Sequence, residues 1–216
     1  MSDSAPREIP GRLVVGTFLT LDGVMQGPGG PDEDREGGFE HGGWSVNYWD
    51  EGMGKIMDEQ SDGVDSLLLG RKTYEIFAGH WPHVDDADPM AAKLNSMPKY
   101  VASRTIDSVE WNNSTLLEGD VAEAVADLKA DSDDVILVQG SQNLLQTLLT
   151  HDLVDEFWLW VFPVVLGEGK RLFAEGTVPG NLELTRTDTS STGVQMLRYE
   201  RAGDIEYGSF ALEEGE

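Results

Sequence analysis

The chain contains no cysteine, which excludes disulfide bonds, a thiolate nucleophile and thiolate metal ligands. Histidine is also scarce, since there are only four in 216 residues. Of these, only His80 and His83 have a spacing typical of metal ligands, and no recognisable acid motif accompanies them. The sequence therefore predicts no metal site.

Basic residues are also few: the chain has 15 Lys and Arg against 40 Asp and Glu, which gives a formal net charge of -25. Such a chain repels itself in dilute buffer, whereas molar salt shortens the Debye length to about 3 Å and removes the repulsion. The acids are spread along the chain among apolar residues, which argues against a disordered acidic tail. We predict a halophilic protein adapted to a salty cytoplasm, with no nucleic-acid partner, because phosphate backbones need a basic surface.

Long apolar runs are absent as well, so no segment is expected to span a membrane. The first residues, MSDSAPREIPGR, lack the charged-then-apolar layout of a signal peptide, and we predict a soluble cytoplasmic protein without a membrane partner. The chain is 39% hydrophobic, which is enough for a sizeable core. We expect a single domain over residues 1–216, with residues 1–11 as a loosely ordered N-terminal extension.

Hydrophobic periodicity alternates between strand and helix along most of the chain. Strands are predicted at 12–21, 64–69, 99–105, 109–117, 134–141, 153–167, 182–186 and 194–201. Helices are predicted at 48–62, 73–78, 120–130 and 142–151. This order predicts an α/β fold with a mixed, mostly parallel sheet flanked by helices and with antiparallel strands at its C-terminal edge.

Residues 25–44 form a long Gly- and Pro-rich loop, and loops of this length are usually functional or disordered. Its aromatic residues favour a packed loop over a disordered one. We hypothesise a lid over the active site that places Phe39, Trp44 and Trp49 in the substrate pocket. The alternative is a loop that serves only a subunit interface.

Three predicted strands end in residues suited to anions, at 70–73, 103–105 and 140–143. Gly70 allows close approach of a ligand, and the helix starts after residues 70 and 140, the second with Ser141 as its N-cap, offer free backbone N–H groups. Three of only 15 basic residues, Arg71, Lys72 and Arg104, fall at two of these strand ends. Because ligands of open α/β sheets lie at the carboxyl ends of strands, the three ends together suit a dinucleotide with several phosphates. Each signal alone is also compatible with ordinary turn chemistry.

Four segments in this order resemble the dihydrofolate-reductase-like superfamily, in its branch related to the C-terminal reductase domain of riboflavin-pathway deaminase-reductases. They are LTLDGVMQ at 19–26, LLLGRKTYEIF at 67–77, KYVASRT at 99–105 and the long segment at 135–173 that begins VILVQGS and ends GEGKRLF. The resemblance spans about residues 12–201 and implies an NADPH-binding reductase. It implies cofactor contacts for Val15, Gly16, Thr17, Asp22, Gly23, Val24, Gly70, Arg71, Lys72, Thr73, Ser103, Arg104, Thr105, Gly140, Ser141, Gln142 and Asn143.

The resemblance also distributes roles among these residues. Residues 70–73 would contact the pyrophosphate and the adenosine-ribose phosphate, residues 103–105 would complete the 2′-phosphate site, and residues 140–143 would bind the pyrophosphate. Residues 15–17 would lie beside the nicotinamide, and residues 22–24 would belong to a mobile loop that covers it.

The chain departs from this family in the helix before GRKT, where folate reductases carry one acid that holds the pterin. Here the stretch 47–60 offers Asp50, Glu51, Asp58 and Glu59 without a clean match, and Asp50 is our candidate for a catalytic, substrate-contacting group. We predict an NADPH-dependent reductase of a pterin- or pyrimidine-type heterocycle, with the proton supplied by water or a carboxylic acid.

Two other readings are compatible with the sequence. One is a nucleotide-binding protein without turnover, and the other is an interaction module that docks through its Gly-rich loop. We also expect a homodimer, because residues 155–167 carry more aromatic and branched side chains than one strand usually needs.

Overall fold

A computed structural model of the protein describes residues 11–85 and 87–210. The N-terminal extension predicted for residues 1–11 lies outside these ranges except for Gly11, which is buried and donates its amide to the Lys129 carbonyl at 2.7 Å. Among the described residues, no helix is long and apolar enough to cross a membrane.

The core is an eight-stranded sheet in the order β4-β3-β2-β5-β1-β6-β8-β7. Its strands are β1 (Arg12–Thr20), β2 (Ser66–Gly70), β3 (Lys99–Ala102), β4 (Ser114–Leu116), β5 (Val135–Gln139), β6 (Glu156–Phe162), β7 (Leu182–Thr189) and β8 (Gln195–Arg201). Every pairing from β4 to β6 is parallel, and β8 pairs antiparallel with both β6 and β7. The predicted α/β class, parallel body and antiparallel C-terminal edge are confirmed.

In the part of the chain that the structure describes, five helices cover the two faces of this sheet: α1 (Glu51–Asp62), α2 (Arg71–Ala78), α3 (Pro89–Ser96), α4 (Val121–Asp131) and α5 (Gln142–Thr150). Short 3₁₀ turns lie at Glu36–Gly38, Val46–Tyr48 and Trp81–His83. Leucines of α5 and Val125 of α4 pack on one face, against Val15 and Val138. Helices α1, α2 and α3 pack on the other face, where Trp158 and Trp160 of β6 point. Because successive side chains of a strand point to opposite faces, consecutive residues of β1 and of β6 contact different helix layers.

The sequence analysis places most elements correctly but misses α3, which is short and weakly amphipathic. An Asp88 cap and Pro89 in its first turn begin this helix. The predicted strand at 109–117 shortens to β4, which lies at the edge of the sheet.

The aromatic side chains of β6 are buried within the chain rather than exposed. Phe157, Trp158, Trp160 and Phe162 are each at most 4% exposed, because a strand in the middle of the sheet has helices or packed loops on both faces. The expectation of a homodimer therefore loses the surface on which it was based, and the oligomeric state stays a prediction.

Candidate functional site

A cavity of about 800 Å³ opens at the carboxyl ends of β2, β3 and β5. The three predicted anion-binding strand ends, which are separated by up to 73 positions in sequence, all line this cavity because parallel neighbours end at the same edge. The predicted residues that line it are Gly16, Thr17, Gly70, Arg71, Lys72, Thr73, Ser103, Arg104, Thr105, Gly140, Ser141, Gln142 and Asn143.

The first turns after β2 and β5 touch each other inside the cavity wall. The Thr73 hydroxyl lies 2.7 Å from the Ser141 hydroxyl, within hydrogen-bond distance. A Cβ atom on Gly70 would lie 2.4 Å from Ser141 Oγ, and one on Gly140 would lie 2.9 Å from Thr73 Oγ1. Gly140 and Ser141 also have positive φ angles, both +61°. Glycine is therefore required at 70 by close approach and at 140 by both close approach and backbone conformation.

The helix starts differ in how their N–H groups are satisfied. Helices α1, α3 and α4 are capped by the carboxylates of Asp50, Asp88 and Asp120. Helices α2 and α5, whose first residues line the cavity, have no side-chain cap from any described residue, although Ser141 stands at the N-cap position of α5. In this acidic chain, the two uncapped helix starts keep their N–H groups and partial positive charge available to an anion.

Arg104 differs from the other basic residues of the cavity wall. Arg71 forms a double hydrogen bond with Glu75 at 2.9 and 3.0 Å, and Lys93 donates to the Ser61 carbonyl. Within residues 11–85 and 87–210, the Arg104 side chain has no hydrogen bond or ion pair, and it is exposed at the cavity. Beside it, Ser103 Oγ accepts hydrogen bonds from the Thr105 and Ile106 amides, which fixes the turn. Arg104 is thus the cation available to a ligand without displacement of a protein carboxylate.

Lys72 instead belongs to a cluster of four charged residues that includes Lys170, a cavity residue that the sequence analysis misses. Lys72 Nζ lies 3.1 Å from Asp34 and 2.6 Å from Glu36, and Lys170 Nζ lies 2.6 and 2.7 Å from the same carboxylates. Hydrogen bonds from Lys170 and Lys72 lower the pKa of Glu36 to about 2, and the bond to Glu36 raises the pKa of Lys72. In the sequence, only the position of Lys170 within the family-like segment GEGKRLF could have indicated that it belongs to the site. The cluster ties the long loop to α2.

Four of the residues predicted to contact a cofactor lie outside the cavity wall. Val15 and Val24 are fully buried in the protein, and Gly23 forms a tight turn with φ +79°. The Asp22 carboxylate accepts hydrogen bonds from the Thr20 hydroxyl at 2.6 Å and the Gly167 amide at 2.8 Å. These bonds hold the end of β1 against residues 166–171, so residues 22–24 form a hydrogen-bonded turn, and their role as a mobile loop over the nicotinamide stays a prediction.

Asp50, the predicted catalytic residue, also lies away from the cavity. It caps α1 by accepting from the Met53 amide at 2.8 Å, and its second oxygen accepts from the Ser191 amide and hydroxyl at 2.8 and 2.6 Å. These bonds lower its pKa, the Ser191 hydroxyl most of all. Asp50 joins α1 to the β7–β8 turn, which is a structural role.

The predicted substrate-pocket aromatics do not line the cavity. Phe39, within the long loop, is 4% exposed, and Trp44 packs edge-on against Phe162 while it donates to the Gln26 carbonyl at 2.8 Å. Trp49 stacks on Trp160 at 5.9 Å and is 46% exposed. The loop is packed as its aromatics predict, and Trp44 attaches it to the sheet, but none of the three rings lines the cavity.

Other aromatic residues, missed by the sequence analysis, line the part of the cavity between the sheet and helices α1 to α3, which we call the aromatic chamber. Its wall includes Phe18, Met57, Phe77, Trp81, Trp158 and Trp160. The alternation of Trp158 and Trp160 in EFWLWVF places both rings on one sheet face, and this was the signal available for them. Gln60 of α1 supplies a polar group in the chamber wall, since it lines the cavity and accepts a hydrogen bond from Trp160.

Comparison with known proteins is consistent with this architecture. The family model for the RibD C-terminal domain matches residues 12–196. The chain is 30% identical over 191 residues to YyaP, an uncharacterized protein of Bacillus subtilis. The alignment covers 87% of this chain and 94% of YyaP.

Solved structures that share the fold include two reductases. The diaminohydroxyphosphoribosylaminopyrimidine deaminase/5-amino-6-(5-phosphoribosylamino)uracil reductase of Thermotoga maritima aligns with a TM-score of 0.58 and 13% identity, over 89% of this chain and 57% of that chain. Dihydrofolate reductase of Enterococcus faecalis, solved with NADP(H) and the ligand RAB-propyl, aligns with a TM-score of 0.55 and 15% identity, over 89% of this chain and 98% of the reductase.

Proposed function

Because this chain belongs to the RibD C-terminal domain family, we propose that it is an NADPH-dependent reductase of a small heterocycle of pterin or pyrimidine type. The observation that carries the proposal is the meeting of two uncapped helix starts and one unpaired arginine, Arg104, in a single cavity of the described chain. Three separate anion-binding elements suit a ligand with a pyrophosphate and a further phosphate. The Enterococcus faecalis reductase, which shares the fold, binds NADP(H).

The residues of the cavity wall fit this cofactor in shape as well as charge. Gly70 and Gly140 leave the space that a Cβ would fill, so the turns can come together as a continuous backbone surface. The N–H groups at the starts of α2 and α5 would bind the pyrophosphate. Arg104, with the hydroxyls of Ser103 and Thr105, would bind the 2′-phosphate. Gly16 and Thr17 of β1, deeper in the same cavity, would lie beside the nicotinamide.

NADPH supplies a hydride from C4 of its nicotinamide ring, and the protein contributes position and exclusion of water. The aromatic chamber adjoins Gly16 and Thr17 in the same cavity, so a ring held there would be beside the hydride donor. Lys72 and Lys170 hold Asp34 and Glu36 with lowered pKa values, so these two carboxylates are ionised at neutral pH. We therefore do not assign the proton to Asp34 or Glu36; water or another carboxylic acid of the cavity wall, such as Glu33, whose pKa burial raises, would supply it.

The proposal predicts a preference for NADPH over NADH that depends on Arg104. Arg104→Ala removes charge-assisted bonds that only the 2′-phosphate can make, so we expect NADPH affinity to fall roughly ten- to a hundredfold while NADH affinity stays the same. Isothermal titration calorimetry with both nucleotides measures this. Arg186→Ala is the matched control, because Arg186 pairs with Glu59 and Asp188 and does not line the cavity.

Turnover is tested separately, by oxidation of NADPH with a panel of pteridines and pyrimidines. Oxidation that requires both the nucleotide and a ring compound supports a reductase. Tight NADPH binding without oxidation of any member would leave a nucleotide-binding protein without turnover, and equal affinity of the parent for NADH and NADPH would overturn the cofactor assignment.

A further inference from the structure

The two tryptophans of the aromatic chamber have already committed their polar atoms to the protein. Trp158 Nε1 donates to the Glu156 carboxylate at 2.6 Å, and Trp160 Nε1 donates to Gln60 Oε1 at 3.2 Å. The Arg198 guanidinium covers the Trp158 ring at 4.5 Å. Neither indole N–H is therefore free for a ligand, and the two rings, each at most 4% exposed, form an apolar part of the chamber wall.

The same hydrogen bond fixes the orientation of the Gln60 carboxamide. An indole N–H can only donate, so the atom that faces Trp160 must be the carboxamide oxygen. The amide nitrogen, Nε2, is left with two N–H groups and makes no hydrogen bond to any residue that the structure describes. Since Gln60 is half-buried and lines the cavity, the chamber contains an oriented donor without a protein acceptor.

Charge is distributed unevenly around the cavity. The acids of its wall, Glu33, Asp34, Glu36 and Asp120, lie on the long loop and at the start of α4. Within the described ranges, no Asp or Glu from β6, α1, α2 or α3 lines the cavity. A cationic ring, or one with a donor edge that needs a carboxylate, would lose its hydration in the chamber without gaining a partner.

We propose that Gln60 determines substrate specificity by donating a hydrogen bond from Nε2 to a carbonyl or ring-nitrogen acceptor of an uncharged heterocycle held in the aromatic chamber. Trp160 acts as the positioning residue, because its N–H prevents the carboxamide from reversing. This inference takes the chamber as the substrate site of the proposed reductase, but recognition of the ring is measured by binding alone.

The probes are two ring compounds of similar size, a pteridine-2,4-dione and a 2-amino-4-oxopteridine, which differ in whether position 2 carries an acceptor or a donor. We expect calorimetry in the presence of NADP⁺ to show that the parent prefers the dione by about tenfold, the effect of one hydrogen bond left unpaired. Gln60→Met, which has similar length and no donor, should lose that preference. Gln60→Glu, which can still accept from Trp160, should reverse it.

A further variant keeps the proposal testable if the substitutions at Gln60 disturb folding. Trp160→Phe preserves an aromatic ring in the chamber wall but removes the N–H that orients the carboxamide, so it should weaken the discrimination between the two compounds without abolishing binding. Unchanged NADPH affinity in each variant would show that the cofactor part of the cavity is intact.

Equal binding of the two compounds by the parent, or full retention of the dione preference in Gln60→Met, would overturn the assignment of Gln60. If the dione preference depends on Gln60 but no compound is reduced, the binding inference stands and the reductase function fails. If NADPH is oxidised with either compound regardless of the residue at 60, the reductase stands and this inference fails.

Discussion

At the scale of single residues, several polar side chains that the sequence suggests for ligand binding hold the protein together instead. Asp22 is the clearest case. Its pKa is lowered to about 2 from 3.8, mainly by the Thr20 hydroxyl and against the opposing effect of burial, with further bonds from the amides of Gly167 and Leu166. With these donors, the Asp22 carboxylate connects the end of β1 to the segment that contains Leu166 and Gly167.

The lowered pKa of Asp22 predicts that the stability of the protein depends on pH. Because the folded-state pKa of Asp22 is below the unfolded value, its stabilisation is complete above pH 3.8 and is lost as the pH falls from there towards 2. Asp22→Asn should lower the free energy of unfolding by about 1–2 kcal/mol at neutral pH, through weaker bonds to its donors.

Urea denaturation of parent and variant in molar KCl, near neutral pH and again below a pH of about 3, checks this prediction. The difference between the two proteins should shrink at the lower pH, where the parent carboxyl also begins to take up a proton. Asp107→Asn, at an exposed position, serves as the control. A difference that is constant across the pH range would refute the role assigned to the Asp22 charge.

At the scale of elements, the long loop of residues 25–44 is organised by contacts made within the chain. Gln26 is only 4% exposed, and its amide nitrogen donates to the Asp34 and Glu36 carbonyls at 3.2 and 2.9 Å while its oxygen accepts from the Lys170 amide at 3.1 Å. The cluster of Lys72, Lys170 and the two loop carboxylates joins the loop to α2. The loop therefore has a defined packing against the sheet and the cavity rim.

Trp44 and Trp49 do not line the cavity, so we expect their substitution to affect stability rather than substrate binding. Trp44 is half-buried against Phe162 and donates a hydrogen bond, so Trp44→Ala should lower the free energy of unfolding by about 2–4 kcal/mol. Trp49→Ala, at an exposed ring, should cost about 1 kcal/mol or less.

Chemical denaturation ranks the two variants, and the oligomeric mass and NADPH affinity are measured in parallel. A loss of substrate response in Trp44→Ala at unchanged stability would restore the lid hypothesis, whereas a change in mass would favour a subunit-interface loop.

At the scale of the whole molecule, the formal charge of -25 dominates the long-range electrostatics of the protein. Most basic residues in the described chain are paired with carboxylates, as Lys72, Arg186 and Arg201 illustrate, and the surplus acids have no cation to offset them. The same field would repel an anionic cofactor at long range, so binding of NADPH should itself strengthen as salt screens the surface.

The proposed adaptation to salt predicts that the melting temperature rises as KCl increases from dilute buffer to molar concentration. At about 0.01 M salt the Debye length is near 30 Å, comparable to the size of the domain, and the acids repel one another throughout it. Differential scanning calorimetry over a KCl series measures the shift, and a series in an uncharged osmolyte controls for general solute effects. A melting temperature that does not change with KCl would contradict the halophilic reading.

Much of the fold could be predicted from the sequence because its signals are local. Apolar runs of β-branched residues mark β1 and β5, a Gly-Ser start marks α5, and the order of strands and helices indicates a parallel body. α3 was harder to predict because its apolar periodicity is weak over eight residues, although Asp88 and Pro89 mark its start in the sequence.

The sequence by itself determined the composition of the site: which residues end the strands, where glycines permit close approach, and how few cations the chain can place there. Only the tertiary structure decided which of these groups remain available to a ligand. Arg104 is left unpaired among the described residues while Lys72 is neutralised by a loop 36 positions away, and Trp160 sets the direction of an amide 100 positions away. Availability depends on long-range contacts, and strand alternation and helix propensity carry no information about them.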